Sequence, residues 1–342
     1  MSIILKGKES YIIDRTLMNI TQKSFNEKGL RKFSINLKRI GVDFFECDER
    51  TFNLIRPLIA SGEIIFRIDK VHQLEICKAN GIEYILVKEE DLEFIKIKDI
   101  EENYNFKIIL EIDVKSCGSD FMQKVSGIDI NNFFAVRFKG ESNWFFNNYI
   151  QGKFNVKTNI YASDKYSMAT ALGFQAILKG VDYLTTAFCG NDGTYGTTAL
   201  EEILVSTVVI MGEGIYGEIS LLSEMREQYE KITYSKILNN KPVIGKDIFK
   251  YESGVHVAGI EKNPVTYEPF MPELVGMKRK LALGKHSGKN SIISKLKECG
   301  IDNQFSVGEI ICILGRVKNK SIANKMEVSD SDFIEICRGI KG

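Results

Sequence analysis

Through its first two-thirds the chain alternates short apolar runs with longer stretches of helical periodicity. The runs are Y-I-I-D-R-T (11–16), D-F-F-E-C (43–47), E-I-I-F-R-I (63–68), E-Y-I-L-V-K (83–88), K-I-I-L-E-I (107–112), F-F-A-V-R-F (133–138), V-K-T-N-I-Y-A (156–162) and D-Y-L-T-T-A (182–187). Rich in Ile, Val, Phe and Tyr, they read as strands, and they recur at roughly 20–30 residues, the length of a strand–helix unit. Between them, Ser24 to Arg39 places Phe25, Leu30, Phe33 and Leu37 near helical spacing, and Ser167 to Lys179 and Thr198 to Met211 carry similar patterns. Glycines in N-G-I (80–82) and K-G-V (179–181) suit the turn from a helix back to a strand. The expected fold is α/β, a (β/α)8 TIM barrel over residues 1–235. An open doubly wound sheet is the alternative.

After about residue 235 the rhythm stops. Residues 236–290 read as a loop-rich linker or lid, and 291–342 as a small, mainly helical C-terminal subdomain. Lys289 to Lys297 puts Ile292, Ile293 and Leu296 on one face, Ser306 and Glu309 have capping-box spacing ahead of a helix reaching Lys318, and a last helix starts near Ser329.

Composition narrows the class. Of 342 residues, 44% are hydrophobic and 27% charged, which predicts a packed core and no disorder. A net charge of +1 argues against a nucleic-acid or membrane surface, since both want a basic excess. No apolar run has spanning length and M-S-I-I-L-K-G-K lacks a signal-peptide core, so a cytoplasmic protein is expected. The seven cysteines are scattered without a C-x-x-C pair and read as free thiols.

In a barrel of this kind reacting groups sit at the C-terminal strand ends. Those ends run from Asp14 to Gln22, Glu46 to Arg50, Tyr161 to Lys165 and Phe188 to Tyr195, and none holds a histidine. The carboxylates there, Asp14, Glu46, Asp48, Asp164 and Asp192, read first as turn caps or solvated charges. Cys189, in F-C-G-N-D-G, reads as an inert small residue before a reactive thiol. Lys165 would form a Schiff base only if burial depressed its pKa. His72, on the helical segment V-H-Q-L-E-I (71–76), reads as a surface or satisfied histidine.

Most of the sharp chemistry lies in 251–289, which holds two of the three histidines, His256 and His286. A scarce histidine in a Gly/Pro-shaped loop is a candidate for acid–base work. G-K-H-S-G-K (284–289) has three residues between its glycines and Asn290 after the lysine, which excludes a P-loop. It reads as an anion cup at a helix start or as a plain turn.

E-S-G-V-H-V-A-G-I-E-K-N-P-V-T-Y-E-P-F-M-P-E-L-V-G (252–276), followed by G-K-H-S-G-K, resembles the linker of homocitrate synthases, particularly the nitrogen-fixation type, whose relatives include isopropylmalate and citramalate synthases. D-R-T-L (14–17), G-V-D-F-F-E (41–46), M-A-T-A-L-G-F-Q-A-I (168–177) and T-A-L-E-E (198–202) extend the resemblance along the whole chain, with a shortened middle. It implies a Claisen-type condensation of acetyl-CoA with 2-oxoglutarate to homocitrate, which supplies the nitrogenase cofactor. A divalent metal would hold the oxo acid.

The chain departs from the family at the metal site. Where D-T-T-L-R-D-G-E-Q is usual it reads D-R-T-L-M-N-I-T-Q, with Met18 at the arginine and Asn19 at a ligand; Arg15, three residues away, is not expected to reach the same place. Where H-x-H-N-D is usual, Tyr161 and Ser163 stand at the histidines. Where N-G-x-G-E-R-A-G is usual, Cys189 stands at the asparagine and Thr194 at the arginine. With Asn19, Tyr161, Ser163 and Cys189 at these positions, no metal is expected in this chain. The resemblance then implies an omega-type subunit of a two-chain enzyme. A homologous catalytic partner with intact metal motifs would hold the divalent metal, and His256 would act in trans in that partner's site. Glu46 is a second catalytic candidate, and Tyr267, Lys285 and His286 are substrate-binding candidates. Tyr251 stands where the family's linker has a first histidine. The alternative is a non-catalytic regulatory or binding pseudoenzyme of the same fold.

Overall fold

A computed structural model describes all residues except 1, 2, 6, 21–26, 115–127, 142–154, 194, 213–216, 254, 255, 257, 258, 261, 302–304 and 342. The chain divides into two compact units, Met1–Lys236 and Ile237–Gly342. The loop-rich segment after residue 236 and the C-terminal helices share the second unit.

The first unit is a closed barrel. Strands β2 (Lys8–Asp14), β3 (Phe44–Cys47), β4 (Ile64–Ile68), β5 (Tyr84–Lys88), β6 (Lys107–Asp113), β7 (Ala135–Gly140), β8 (Lys157–Ala162) and β9 (Tyr183–Thr186) pair in parallel in chain order. β9 returns to β2 in a register running from Tyr11↔Tyr183 to Asp14↔Thr186, so the sheet closes and the open alternative is set aside. A short β1 (Ile3–Leu5) adds an antiparallel pairing to β2 that the sequence did not signal. The strand runs are nearly all apolar because helices cover one face and the barrel interior the other. Alternation sorts them: Ile13, Ile65, Ile109, Ala135 and Tyr183 from five strands meet in one interior cluster, so the residues two positions on also point inward.

The helices follow their apolar stripes. In α1 (Glu27–Arg39), Leu30, Phe33 and Leu37 are buried, and Phe33 meets the Phe188 ring edge-on at 5.5 Å. Ser24 to Asn26, expected in the same helix, lie outside the described residues. The barrel side also carries α2 (Glu49–Ile55), α3 (Gln73–Ala79), α4 (Ile97–Asn103), α5 (Ala169–Leu178), α6 (Leu200–Met211) and α7 (Leu222–Thr233). Gly81 (φ +65°) and Gly180 (φ +73°) adopt the left-handed turn that ends a helix before the next strand.

In the second unit, β10 (Lys250–Tyr251) pairs in parallel with β11 (Lys280–Leu281). Helices α8 (Lys289–Glu298), α9 (Val307–Asn324) and α10 (Asp330–Lys341) close over Leu281, Leu283, Ile292, Leu296, Ile313, Val317 and Phe333. The capping box forms as its spacing suggested: Ser306 Oγ accepts from Glu309 N and the Glu309 carboxylate from Ser306 N. Among the described residues no helix is long and apolar enough to cross a membrane.

Candidate functional site

Above the apolar layer the barrel interior is ionic. Glu46 on β3 is fully buried and accepts from Arg137 on β7 at 2.5 Å and from Arg67 on β4 at 3.0 Å, with Arg15 Nε 3.2 Å away. Glu111 on β6 accepts from Arg67 at 2.7 Å and from Arg137 at 3.2 Å. Three guanidiniums therefore share two carboxylates. Burial works against ionisation of Glu46 and Glu111, but the adjacent arginines outweigh it and hold both below the usual carboxylate range. The Arg15 guanidinium lies over the Tyr161 ring, 4.5 Å from its centroid, and Lys139 Nζ approaches the same ring at 5.2 Å. The Tyr161 hydroxyl donates to Asp192 at 2.5 Å, and burial pushes its phenol up.

These positions revise two expectations. Glu46 is neither a turn cap nor a solvated charge; it is buried and paired with arginines, whereas Asp192 is buried and caps its loop, accepting from Gly196 N at 2.9 Å as well as from Tyr161. The Arg15 guanidinium does come to the side chain that stands at the family's arginine position, with Nη2 4.0 Å from Met18 Sδ. β2 stays extended through Asp14, and Arg15 N continues the ladder by donating to Thr186 O at 2.9 Å. Arg15 thus shares the inward parity of Ile13. Asp14, Asp48 and Asp164 do cap turns, accepting from the backbone N–H of Thr16 (3.0 Å), Thr51 (2.7 Å) and Ala169 (2.9 Å). Arg67, Glu111, Arg137 and Lys139 escaped the sequence reading. Arg67, Glu111 and Arg137 each show as a single charge near the end of an apolar strand run, and Lys139 follows the last of these runs.

The second unit holds a different site. His256 and Tyr267 bring their rings to 4.6 Å, on the wall of a cavity of about 370 Å³ that Phe249, Tyr251, Ile260 and Phe270 also line. Tyr267 is held from two sides. A Cβ on Gly259 would collide with its ring, so only glycine permits this approach. The next residue, Glu268, is 7% exposed and accepts a two-point bond from Arg279, at 2.8 and 2.7 Å. Val243, on the same wall, has a left-handed backbone (φ +57°), a strained state for a β-branched residue. Among the described residues the His256 ring has Tyr267 as its neighbour and no hydrogen-bond partner.

The G-K-H-S-G-K loop is built around a carboxylate of its own chain. His286 N donates to Glu252 at 2.7 Å, Gly284 N to Ser287 Oγ at 2.9 Å, and Ser291 Oγ to Glu252 O at 3.1 Å. Glu252 thus occupies the loop as an internal anion. Lys285 and His286 are exposed and do not line the His256 cavity, whereas Tyr267 and Tyr251 do.

A homocitrate synthase omega subunit from Clostridium pasteurianum is 34% identical over 351 residues, covering 98% of this chain and 97% of that protein. The chain belongs to the homocitrate synthase family. Residues 243–325 match the family described as homocitrate synthase post-HMGL domain-like. The homocitrate synthase AksA of Methanothermobacter thermautotrophicus is 33% identical over 183 residues, 54% of this chain and 46% of that one. Hydroxymethylglutaryl-CoA lyase from Pseudomonas aeruginosa shares the fold, with a TM-score of 0.51, 10% identity, and coverage of 66% of this chain and 93% of the lyase.

Against what this homocitrate synthase family implies, the metal position has the wrong donors. Asn19 donates its amide N–H to Asn191 O at 2.9 Å, and the Tyr161 hydroxyl is committed to Asp192. Cys189 has a left-handed backbone (φ +61°), and its N–H donates to buried Glu201 at 2.9 Å. Thr194 lies outside the described residues. Among those described, no three His, Cys, Asp or Glu side chains converge to hold a metal. A hard divalent ion wants anionic oxygens or imidazoles, and these neutral side chains do not fit it. Lys165 is 41% exposed and 3.4 Å from Glu141, whose hydrogen bond raises its pKa. A Schiff-base lysine needs the opposite shift.

Proposed function

We propose that this chain is one subunit of a two-chain homocitrate synthase. A homologous partner carries the divalent metal and the condensation of acetyl-CoA with 2-oxoglutarate. This chain presents His256 to that partner's site as base or proton shuttle. The observation that carries the reading is the contrast within one chain: in the first unit an interior whose charges are paired with one another, and in the second an exposed imidazole held at a cavity by Tyr267. Tyr267 orients the ring, and the Arg279–Glu268 clamp holds the segment that bears Tyr267. Near-full-length similarity to a protein named as an omega subunit supports the two-chain arrangement. The place of Tyr251 on the same cavity wall makes it the natural neighbour in a proton relay.

The test is purification of the chain alone and with a candidate partner, followed by turnover of acetyl-CoA and 2-oxoglutarate. Full activity from the single chain would sink the proposal. In the complex, His256→Ala lowers turnover by about 10²-fold or more, the usual scale for a general acid–base group. The paired barrel interior favours one second reading, a non-catalytic regulatory subunit of the same fold. An active complex indifferent to His256→Ala would select it.

A further inference from the structure

We infer that Arg15 occupies the cation position of this barrel, so that its arginine–glutamate lattice takes up no divalent metal there. The inference sharpens the metal-free half of the reading above. Its test needs only the single chain, so a partner that fails to activate it leaves the inference standing.

Three observations converge. The Arg15 guanidinium sits over Tyr161, one of the positions where a ligand is expected, while its Nε lies 3.2 Å from Glu46. A positive charge is thus already present between the first and seventh barrel strands, and Lys139 brings another within 5.2 Å of the centroid of the same ring. A dication entering there would meet both at close range, in a buried setting where repulsion is weakly screened. Next, the anionic oxygens around this point are taken: Asp192 accepts from the Tyr161 hydroxyl and from Gly196 N. Both Glu46 oxygens face arginines and both Glu111 oxygens accept from them. Finally, Arg15 is spare to the pairing. Without it, Arg67 and Arg137 still balance Glu46 and Glu111, two charges against two. Arg15 can therefore be exchanged without leaving an unpaired carboxylate, which makes the inference open to experiment.

Mn2+ uptake by the purified chain, followed through the electron paramagnetic resonance signal of free Mn2+, tests it. The wild-type chain is expected to leave the signal unchanged into the millimolar range. The variant Asn19→Asp/Tyr161→His/Ser163→His supplies a carboxylate and two imidazoles but keeps Arg15. Adding Arg15→Thr to it is expected to tighten Mn2+ binding by at least about 10-fold, the range over which groups around a metal set its affinity. Equal affinity with and without Arg15 would overturn the inference. So would one equivalent of Mn2+ held by the wild-type chain and lost in Asn19→Ala/Ser163→Ala, an outcome that needs no engineered site to fold.

Discussion

Glu46→Gln is the most direct probe of the barrel lattice, because it removes one charge and almost no volume. Glu46 is fully buried and meets three guanidiniums, with Arg137 at 2.5 Å, Arg67 at 3.0 Å and Arg15 at 3.2 Å. An amide there turns N–H donors toward N–H donors on one side and leaves three cations facing Glu111. Breaking a buried pair by neutralising one partner costs about 3–5 kcal/mol. That is a large fraction of the roughly 5–15 kcal/mol that holds a domain folded. At about 2–4 °C per kcal/mol for a unit of this size, the melting temperature falls by roughly 6–20 °C.

The same geometry predicts a partial rescue. Arg137 has two buried donors, Nε and Nη2, with no hydrogen-bond partner among the described residues. Glu46→Gln/Arg137→Met removes the surplus cation, drops both unsatisfied donors and keeps a similar volume. It should recover about half or more of the loss, a coupling within the 0.5–3 kcal/mol seen for contacting residues. Denaturant unfolding of wild type, both single variants and the double variant measures it. A Glu46→Gln cost below about 1 kcal/mol, or a double variant no more stable than Glu46→Gln, would refute the lattice as the source of stability.

Other measurements reach different parts of the chain. Burial pushes Asp14 up to about 7. Between the unfolded value near 3.9 and about 7 the folded chain holds a proton that the unfolded chain has released, so stability declines as pH rises through that window. Asp14→Asn should abolish that decline; a wild-type minus variant difference that stays flat from about pH 4 to 7 would contradict it. Glu46 and Glu111 act with the opposite sign: held low, they contribute stability above about pH 4 and lose it as pH falls, a contribution that cancels in the same difference. In the second unit, Ser306→Ala removes the N-cap of α9 and should cost about 1 kcal/mol, read from the denaturant midpoint.

The fold was legible because each strand carried its own signature. All eight predicted barrel runs form strands with ends shifted by no more than a few residues, since β-branched and aromatic runs between glycine-ended helices leave few alternatives. The short helices α2 and α4 were not, at seven residues each, because two turns give periodicity little to act on, and of α3 only V-H-Q-L-E-I (71–76) read as helical. The lattice hid for a different reason. In F-F-E-C, I-I-F-R-I, I-L-E-I and A-V-R-F one charge sits inside each apolar run, at inward parity near the strand end. Taken one run at a time, each resembles a solvated strand end. Only the closed register, which places Glu111 opposite Arg137 and Arg67 opposite Leu86 on the way round, shows that the charges meet. Arg15 takes its direction from the alternation set by Ile13, which its spacing from Met18 does not reveal. The nearness of Tyr267 to His256, eleven positions apart, depends on a Gly259 contact and the Glu268–Arg279 clamp, which no periodicity encodes.

The two units divide the chain's polar chemistry by how far it is committed. A group that moves protons must have an atom able to reach a substrate, and its partners must tolerate both of its charge states. Glu46 meets neither condition. It has no exposed surface, and the three guanidiniums that hold it ionised would be left uncompensated on protonation. As a carboxylate it is suited to fixing strands β3, β4 and β7 to one another. His256 differs on both counts. Its ring is exposed at a cavity, and among the described residues its neighbour is the uncharged Tyr267 ring, with no carboxylate or guanidinium bonded to it. Neutralising a barrel carboxylate should therefore be read out in stability, and removing the linker imidazole in turnover. A Glu46→Gln complex that keeps its rate per folded molecule, beside a His256→Ala complex that keeps its melting temperature and loses its rate, is the pair of results this division requires.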